Sequence, residues 1–353
     1  MTRGLVVGTA ALVLTVLGGA LVALDASPAT VVAVTGVALG LVAWAIAVGT
    51  DAVSERLGPG ATGVVQSTIG NLPGFFIVLF ALADGEVIVA QTSILGGVFA
   101  NGLLLLGLAI LAGALRSPAG VMRFEPRLPN DTATLLLLSS FVIVLLGLSD
   151  TVADNASEHQ VEISIVGALC LLGVYATWLV GYLRSPVEAR PRLRRSVRPV
   201  RPLGVRAAFG LLAVASVAAA LVSSWFVDAL GPAAEDLGVS RTFAGLVVAG
   251  IAGYAIPNVV GVTLAGRGEA DLAISVIKNS VAQLNAVVFP LAVLASLLFA
   301  ERMTFVLSPV LIGALALAAI AIWQITGDGR AMPFEGWALV ALFVVLATLV
   351  WFE

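Results

Sequence analysis

The sequence predicts an all-α membrane protein of about eleven transmembrane helices, one leading helix followed by two inverted five-helix repeats. Three observations predict it. Hydrophobic residues make up 60% and charged residues 11% of the 353 residues, and the mean hydropathy is +1.09, which is the composition of a polytopic membrane protein. Apolar runs of about 20 residues, each able to satisfy its own backbone in lipid as a helix, recur along the whole chain. A Gly/Pro-interrupted run followed by a polar-studded run occurs twice, with the same internal spacing. The single cysteine, Cys170, lies in an apolar run and excludes an intramolecular disulfide or a Cys-rich metal cluster. The single histidine, His159, sits in a polar loop, which argues against a histidine-based zinc or haem site, and no cofactor is expected. The net charge of −3 says little about partners.

In chain order, Gly4 to Leu24 is the first apolar run. It is long for a signal-peptide core and leads through Asp25 to Pro28 into a second run, so it reads as a retained helix. Further spans are expected at Ala29 to Thr50, Ala61 to Ala83, Val87 to Leu115, Thr132 to Leu148 and Val161 to Leu183. After a linker come Val205 to Val227, Thr242 to Ala265, Ala270 to Ala300, Thr304 to Thr326 and Trp337 to Phe352. This divides the chain into a leading helix (1–27), a first repeat (28–183), a linker (184–204) and a second repeat (205–353). The segment from Arg184 to Arg206, RSPVEARPRLRRSVRPVRPLGVR, is expected to be a solvated cytoplasmic tether by the positive-inside rule. Alternating outward from it also places the N-terminus, Arg116, Arg123, Arg267 and Arg330 in the cytoplasm, and leaves Arg241 and Arg302 outside. The expected partners are the lipid bilayer and a small ion or solute, not nucleic acid.

The run from Leu272 to Pro290 places Lys278, Asn279, Ser280, Gln283 and Asn285 inside an apolar segment, and Lys278 is the only lysine. An ammonium at the bilayer centre costs roughly 2.5–3.5 kcal/mol on insertion scales, so it should face a polar partner or cavity. On an ideal helix Lys278 and Asn285 share one face, and Asn279 and Gln283 an adjoining one. The third span carries Gly70-Asn71-Leu72-Pro73-Gly74 and the fourth Gly96 to Asn101; the eighth carries Gly253-Tyr254-Ala255-Ile256-Pro257-Asn258 and the ninth Asn279 to Gln283. Gly70 to Gly96 is the same separation as Gly253 to Asn279. Halves of five helices each are offset by an odd number of crossings, so they are inverted. Inverted repeats with broken helices meeting at mid-membrane are how many secondary transporters build a site. The competing reading is that the glycines only allow close packing and the prolines only kink the spans.

At these residues the chain resembles a known family. Gln66 to Gly107, QSTIGNLPGFFIVLFALADGEVIVAQTSILGGVFANGLLLLG, resembles the first alpha-repeat of the calcium/cation antiporter superfamily, most closely its cation/proton exchanger branch. Phe243 to Pro290 resembles the second, and Val161 to Leu183 that branch's sixth helix. The resemblance implies a sodium/calcium exchanger-like fold and a cation and a proton as substrates, with a prokaryotic plasma membrane as the expected location. The family pattern is Gly-Asn, two variable residues, then glutamate. Here Gly70 and Asn71 stand, but Gly74 occupies the acidic position. In the second repeat Gly253 is kept, Tyr254 replaces the asparagine, Pro257 replaces the glutamate and Asn258 sits where a histidine would follow. Gly97 replaces a serine and Asn101 is retained. Ser280 and Gln283 match the pattern Gly-Ser-Ser-Ile-Gln, with Asn279 in the glycine's place. Lys278 has no counterpart in the pattern.

A dehydrated divalent cation needs several oxygens, at least one or two of them anionic, yet all 21 Asp and Glu lie at span ends or in loops. The expected site is therefore a set of neutral groups, Asn71, Asn101, Asn258, Asn279, Ser280, Gln283 and Asn285, with Tyr254 and Lys278, at helix breaks marked by Gly70, Pro73, Gly74, Gly253 and Pro257. Three roles compete for Lys278: proton carrier or internal counter-charge, anchor for an anionic or carbonyl substrate, or structural cation. Two functions follow. One is a cation/proton-antiporter-like secondary transporter with an altered site. The alternative is a degenerate member acting on a small organic or anionic substrate through Lys278, as carrier or membrane enzyme. Asp84, Glu86, Glu269 and Asp271 read as turn and capping residues, and Trp323, Trp337 and Trp351 as interfacial anchors.

Overall fold

The computed structural model describes residues 3–54, 70–125, 127–184, 205–255 and 258–353. Helices α1 (Arg3–Ala23) and α2 (Pro28–Ser54) lead into α3 (Leu72–Ala83) and α4 (Val87–Arg116). Then follow α5 (Arg127–Val152), α6 (Gln160–Arg184) and α7 (Val205–Leu237). The bent pair α8 (Arg241–Tyr254) and α9 (Val259–Gly266), α10 (Ala270–Ser296), α11 (Pro309–Thr326) and α12 (Pro333–Trp351) complete the chain. Eight of the described helices are long and apolar enough to cross a membrane, nine if the bent pair is one span, and α3 is a shorter apolar helix. Proline begins α2, α11 and α12, where its missing N–H costs nothing because first-turn donors have no partner inside the helix.

The recurrence visible in the sequence is also conformational. Asn71 precedes α3 at φ −85°, ψ −2°, and Asn258 precedes α9 at φ −91°, ψ −3°. Gly85 (φ +76°) turns α3 into α4, and Gly268 (φ +84°) turns α9 into α10, a left-handed backbone that glycine adopts without a Cβ penalty. The following residues, Glu86 and Glu269, have nearly the same dihedrals, φ −84°, ψ 61° and φ −93°, ψ 59°. Both α4 and α10 then widen into a π-helical turn, Ala100–Leu105 and Leu284–Val288. These two helices form the core, with 83% and 78% of their apolar windows buried against 22–50% for the other long spans. The outer helices turn Leu12, Phe141, Val166, Leu317 and Trp337 outward, as a lipid-facing surface requires.

The core closes through glycines. A Cβ on Gly96 would land on the backbone of Leu246, and one on Gly250 would meet Gly96 Cα at 2.6 Å and Gly97 N at 2.8 Å. Helices α4 and α8 therefore cross backbone on backbone. On its other flank α4 meets α12 at Gly107 and Gly336, where added Cβ atoms would reach the opposite carbonyls at 2.6 and 2.8 Å. Without a hydrophobic drive between helices in lipid, such close approach supplies the packing attraction.

Several elements depart from the sequence expectation. Residues 61–69 of the expected third span and 185–204 of the linker lie outside the described residues, and the helix described in that span begins at Leu72. The seventh span continues through Pro232 to Leu237. The tenth begins at Pro309 rather than Thr304, because residues 297–308 run as an irregular packed segment. Gln91 Nε2 donates to the Thr304 and Val306 carbonyls at 2.9 and 3.2 Å, and Phe305 N donates to Ser164 Oγ at 3.1 Å. A two-stranded ribbon, β1 (Met122–Arg123) against β2 (Arg330–Ala331), was not expected at all. Two-residue strands carry no periodicity to read.

Gly96→Leu is expected to cost more than the roughly 1–3 kcal/mol usual for overpacking, because the obstacle is the Leu246 backbone rather than a movable side chain. Gly173→Leu, which points into open space, is the control. Thermal unfolding of the two purified variants checks this, with the first strongly lowered and the second unchanged.

Candidate functional site

Amide and hydroxyl side chains from both halves meet where the helices break. Asn71, at the start of α3, donates from Nδ2 to Gln283 Oε1 on α10 at 3.3 Å. Ser280 Oγ lies 3.5 Å from Asn71 Oδ1. Asn258, at the start of α9, donates from Nδ2 to Ser280 Oγ at 2.9 Å and to the Tyr254 carbonyl at 3.0 Å. Asn101, in the π-helical turn of α4, donates to the carbonyls of Gly97 at 2.7 Å and Tyr254 at 3.3 Å. Gln283 Nε2 reaches Tyr175 Oη of α6 at 3.1 Å. Asn71, Asn101, Asn258, Ser280 and Gln283 are all buried, so each amide must find a partner in protein. Asn101 Oδ1 has none among the described residues.

The helix-break residues make this meeting possible. Pro73 stands in the first turn of α3, and its carbonyl accepts from Ser223 Oγ of α7 at 3.2 Å. A Cβ on Gly253 would meet Gly74 Cα at 2.9 Å, so the two halves touch main chain to main chain beside the network. Gly70 borders open space. Pro257 lies outside the described residues, and across that gap the axis turns by 61° between α8 and α9. Tyr254 ends α8 within the π-helical stretch Ile251–Ala255, and it is wholly buried. Its ring lies across Gly97 and Gly74: a Cβ on Gly97 would be 2.7 Å from Cδ2, and one on Gly74 would fall inside the ring. Its hydroxyl has no hydrogen-bond partner among the described residues.

Lys278 Nζ donates to Thr326 Oγ1 at 2.7 Å, and Thr326 donates onward to the Ile322 carbonyl at 2.6 Å. Thr326 is the last residue of α11, so this bond is made at the negative end of that helix, where a cation gains about 0.3–1 kcal/mol and up to ~2 when partly buried. Asn285 is buried with neither Oδ1 nor Nδ2 paired among the described residues. Asn285 lies in the π-helical turn Leu284–Val288, so the ideal helical pitch used for the one-face projection does not hold through it. Asn279 is half-buried on α10.

No carboxylate is among the buried polar residues described, and no group of three or more His, Cys, Asp or Glu is placed to hold a metal. One group of acids lies at the end of the bundle where α3 turns into α4. Arg241 donates to both oxygens of Glu86, at 2.6 and 2.8 Å, and to Glu235 at 3.2 Å. Partial burial, and then the charges of Asp228 and Glu86, push the Asp84 carboxyl above the usual range. Sequence reasoning missed Tyr175 and Thr326. Each is one polar residue in an apolar run, and only its long-range partner distinguishes it.

With this geometry in hand, comparison with known proteins is informative. A family model described as "Sodium/calcium exchanger protein" matches residues 207–352. The "Ca(2+)/H(+) antiporter" of Synechocystis sp. is 27% identical over 342 residues, covering 92% of this chain and 91% of the relative. That of Aphanothece halophytica is 25% identical over 319 residues, covering 86% and 85%. Among solved structures, native YfkE superposes with a TM-score of 0.82 at 23% identity, covering 98% of this chain and all of that one. The fold is that of the sodium/calcium exchangers.

Two thermodynamic cycles test the geometry. Thr326→Val is expected to cost about 1–3 kcal/mol, since it strips a partner from a buried ammonium. Lys278→Met/Thr326→Val should cost less than Thr326→Val alone, because no buried charge is left short of partners. Gly74→Ala should cost roughly 1–3 kcal/mol of overpacking, and less than half as much in a Tyr254→Ala background. Unfolding curves in detergent read both cycles, and simple additivity in either would contradict the contact it tests.

Proposed function

We propose that this chain, which belongs to the calcium/cation antiporter superfamily beside its cation/proton exchanger branch, is an antiporter exchanging a monovalent cation for protons through the amide network. One observation carries the reading. Asn71 and Asn258, the residues at the two helix breaks, are joined through Ser280 and Gln283 of a single core helix. Broken helices present free carbonyls and dipole ends to an ion inside the membrane, so the network stands where an exchanged ion would be held. The chain is an integral multi-pass membrane protein. The end with Asp84, Glu86 and Glu235 fits the outer mouth, and the end with Arg116, Arg123, Arg267 and Arg330 the cytoplasmic side.

The choice of ion follows from charge. The relatives are named as calcium/proton antiporters, but calcium takes six to eight oxygens, usually with carboxylates among them. The self-energy of a dehydrated ion grows with the square of its charge, so neutral amides and hydroxyls hold a monovalent ion far more easily than a divalent one. The proton is assigned to Lys278, the only buried lysine or arginine among the described residues. It shares α10 with Ser280 and Gln283. A cation entering the network disfavours the ammonium on the same helix, and an ammonium disfavours the cation, which is the linkage an exchanger needs. No observation favours an organic substrate for the amine, which is held by Thr326 at a helix end.

Reconstitution in vesicles tests this. Sodium or potassium gradients are expected to drive internal pH changes more strongly than calcium gradients. Asn71→Ala and Gln283→Ala should each reduce cation flux at least about ten-fold, the loss expected when a site ligand worth ~1.4 kcal/mol or more is removed. Lys278→Met should leave cation flux that no longer moves protons. Stronger driving by calcium would overturn the neutral-site reading, and intact proton coupling in Lys278→Met would overturn the role of the lysine.

A further inference from the structure

The Tyr254 ring occupies a volume that other positions leave empty by being glycine. Its Cβ, Cγ and Cδ2 lie against Gly97 of α4, while Cδ1, Cε1 and Cζ lie against Gly74 of α3. The ring therefore spans the gap between the two helices that carry Asn101 and Asn71. Its carbonyl is held by two amides, from Asn101 and Asn258. Its hydroxyl is wholly buried and unpartnered among the described residues. The ring and the hydroxyl thus have opposite status: the first is tightly fitted, the second unsatisfied. Leaving a buried hydroxyl unpaired is unfavourable, and the cost vanishes when the ring leaves or when an incoming molecule pairs with it. The residue also sits on a π-helical stretch, immediately before the 61° turn of the axis. Such stretches are frequent at functional sites and mark places where a helix changes its hydrogen-bond register.

We propose that Tyr254 is the residue that determines what the amide network admits: its ring keeps water and hydrated cations out of the space between Asn71 and Asn101, and access requires its displacement. The inference deepens the transporter reading and rests on it for the identity of the excluded species. The steric part stands alone. Without the ring the space takes about three waters at ~30 Å³ each, bordered by the backbone at Gly74 and Gly97.

The test reads access rather than transport. In a Cys170→Ser background, Ser280→Cys places one thiol at the network, and the purified full chain in nanodiscs is treated with a small cationic methanethiosulfonate. With Tyr254 present labelling is expected to be slow, and Tyr254→Phe should be equally slow, because the ring and not the hydroxyl is the barrier. Tyr254→Ala, or Tyr254→Gly if alanine does not yield folded protein, should label at least ten-fold faster. Equal rates with and without the ring would overturn the proposal. Tyr254→Phe should also unfold at a temperature no lower than its parent, and a clear loss would show that the hydroxyl has a partner, which overturns the displacement argument. A protein that transports nothing can still pass this test, and an active transporter can fail it, so the two readings are separable.

Discussion

A polar group buried in a hydrocarbon slab has no solvent to fall back on, and that constraint organises this molecule. Helix breaks are unaffordable in lipid unless the freed backbone and the polar side chains beside it meet one another. Here they do so at one place. The breaks at Asn71 and Asn258 come from opposite ends of the chain, and α10 supplies Ser280 and Gln283 to join them. The glycine contacts at Gly74–Gly253 and Gly96–Gly250 are what bring the two halves near enough for those hydrogen bonds to form. Packing and polar satisfaction are a single requirement in this core.

Charge obeys the same constraint in a different way. Carboxylates are absent from the buried polar residues described, and the one buried cation is seated at the end of α11 with Thr326 as acceptor. A helix C-terminus offers partial negative charge without a titratable group, which tempers the cost of burying an ammonium. The amide network and the helix-held amine thus lie on one helix, α10, and are satisfied by different neighbours.

Much of the fold was legible because lipid imposes a crude, strong signal: an apolar run of helical length has few alternatives. The repeat was legible because glycine, proline and asparagine at Gly70–Gly74 and Gly253–Asn258 punctuate otherwise apolar runs. The membership of Asn71, Asn101, Asn258, Ser280 and Gln283 in one region was legible for the same reason, since a buried amide advertises a partner. Direction was not. That Lys278 reaches Thr326 of α11 depends on how α10 and α11 sit against one another, which an apolar pattern does not encode. The ribbon between Met122–Arg123 and Arg330–Ala331 was hidden because its pairing is long-range and its strands are too short for alternation. Tyr175 and Thr326 looked like ordinary residues of apolar spans.

The two halves also differ in a way that bears on how the centre works. In the register set by Gly85 and Gly268, Asn71 corresponds to Tyr254, yet Asn71 directly precedes α3 whereas Tyr254 ends α8 and it is Asn258 that precedes α9. Tyr254 therefore does not stand at the start of the following helix as its counterpart does, and its ring enters the gap beside Gly74 and Gly97. An aromatic side chain there is compatible only with glycine at both neighbours, and glycine at both neighbours is stable only if something of about that size fills the space. The three residues therefore form one steric unit. Any change of conformation that widens the gap between α3 and α4 strips contacts from the ring on both sides at once, so the ring is held firmly or not at all.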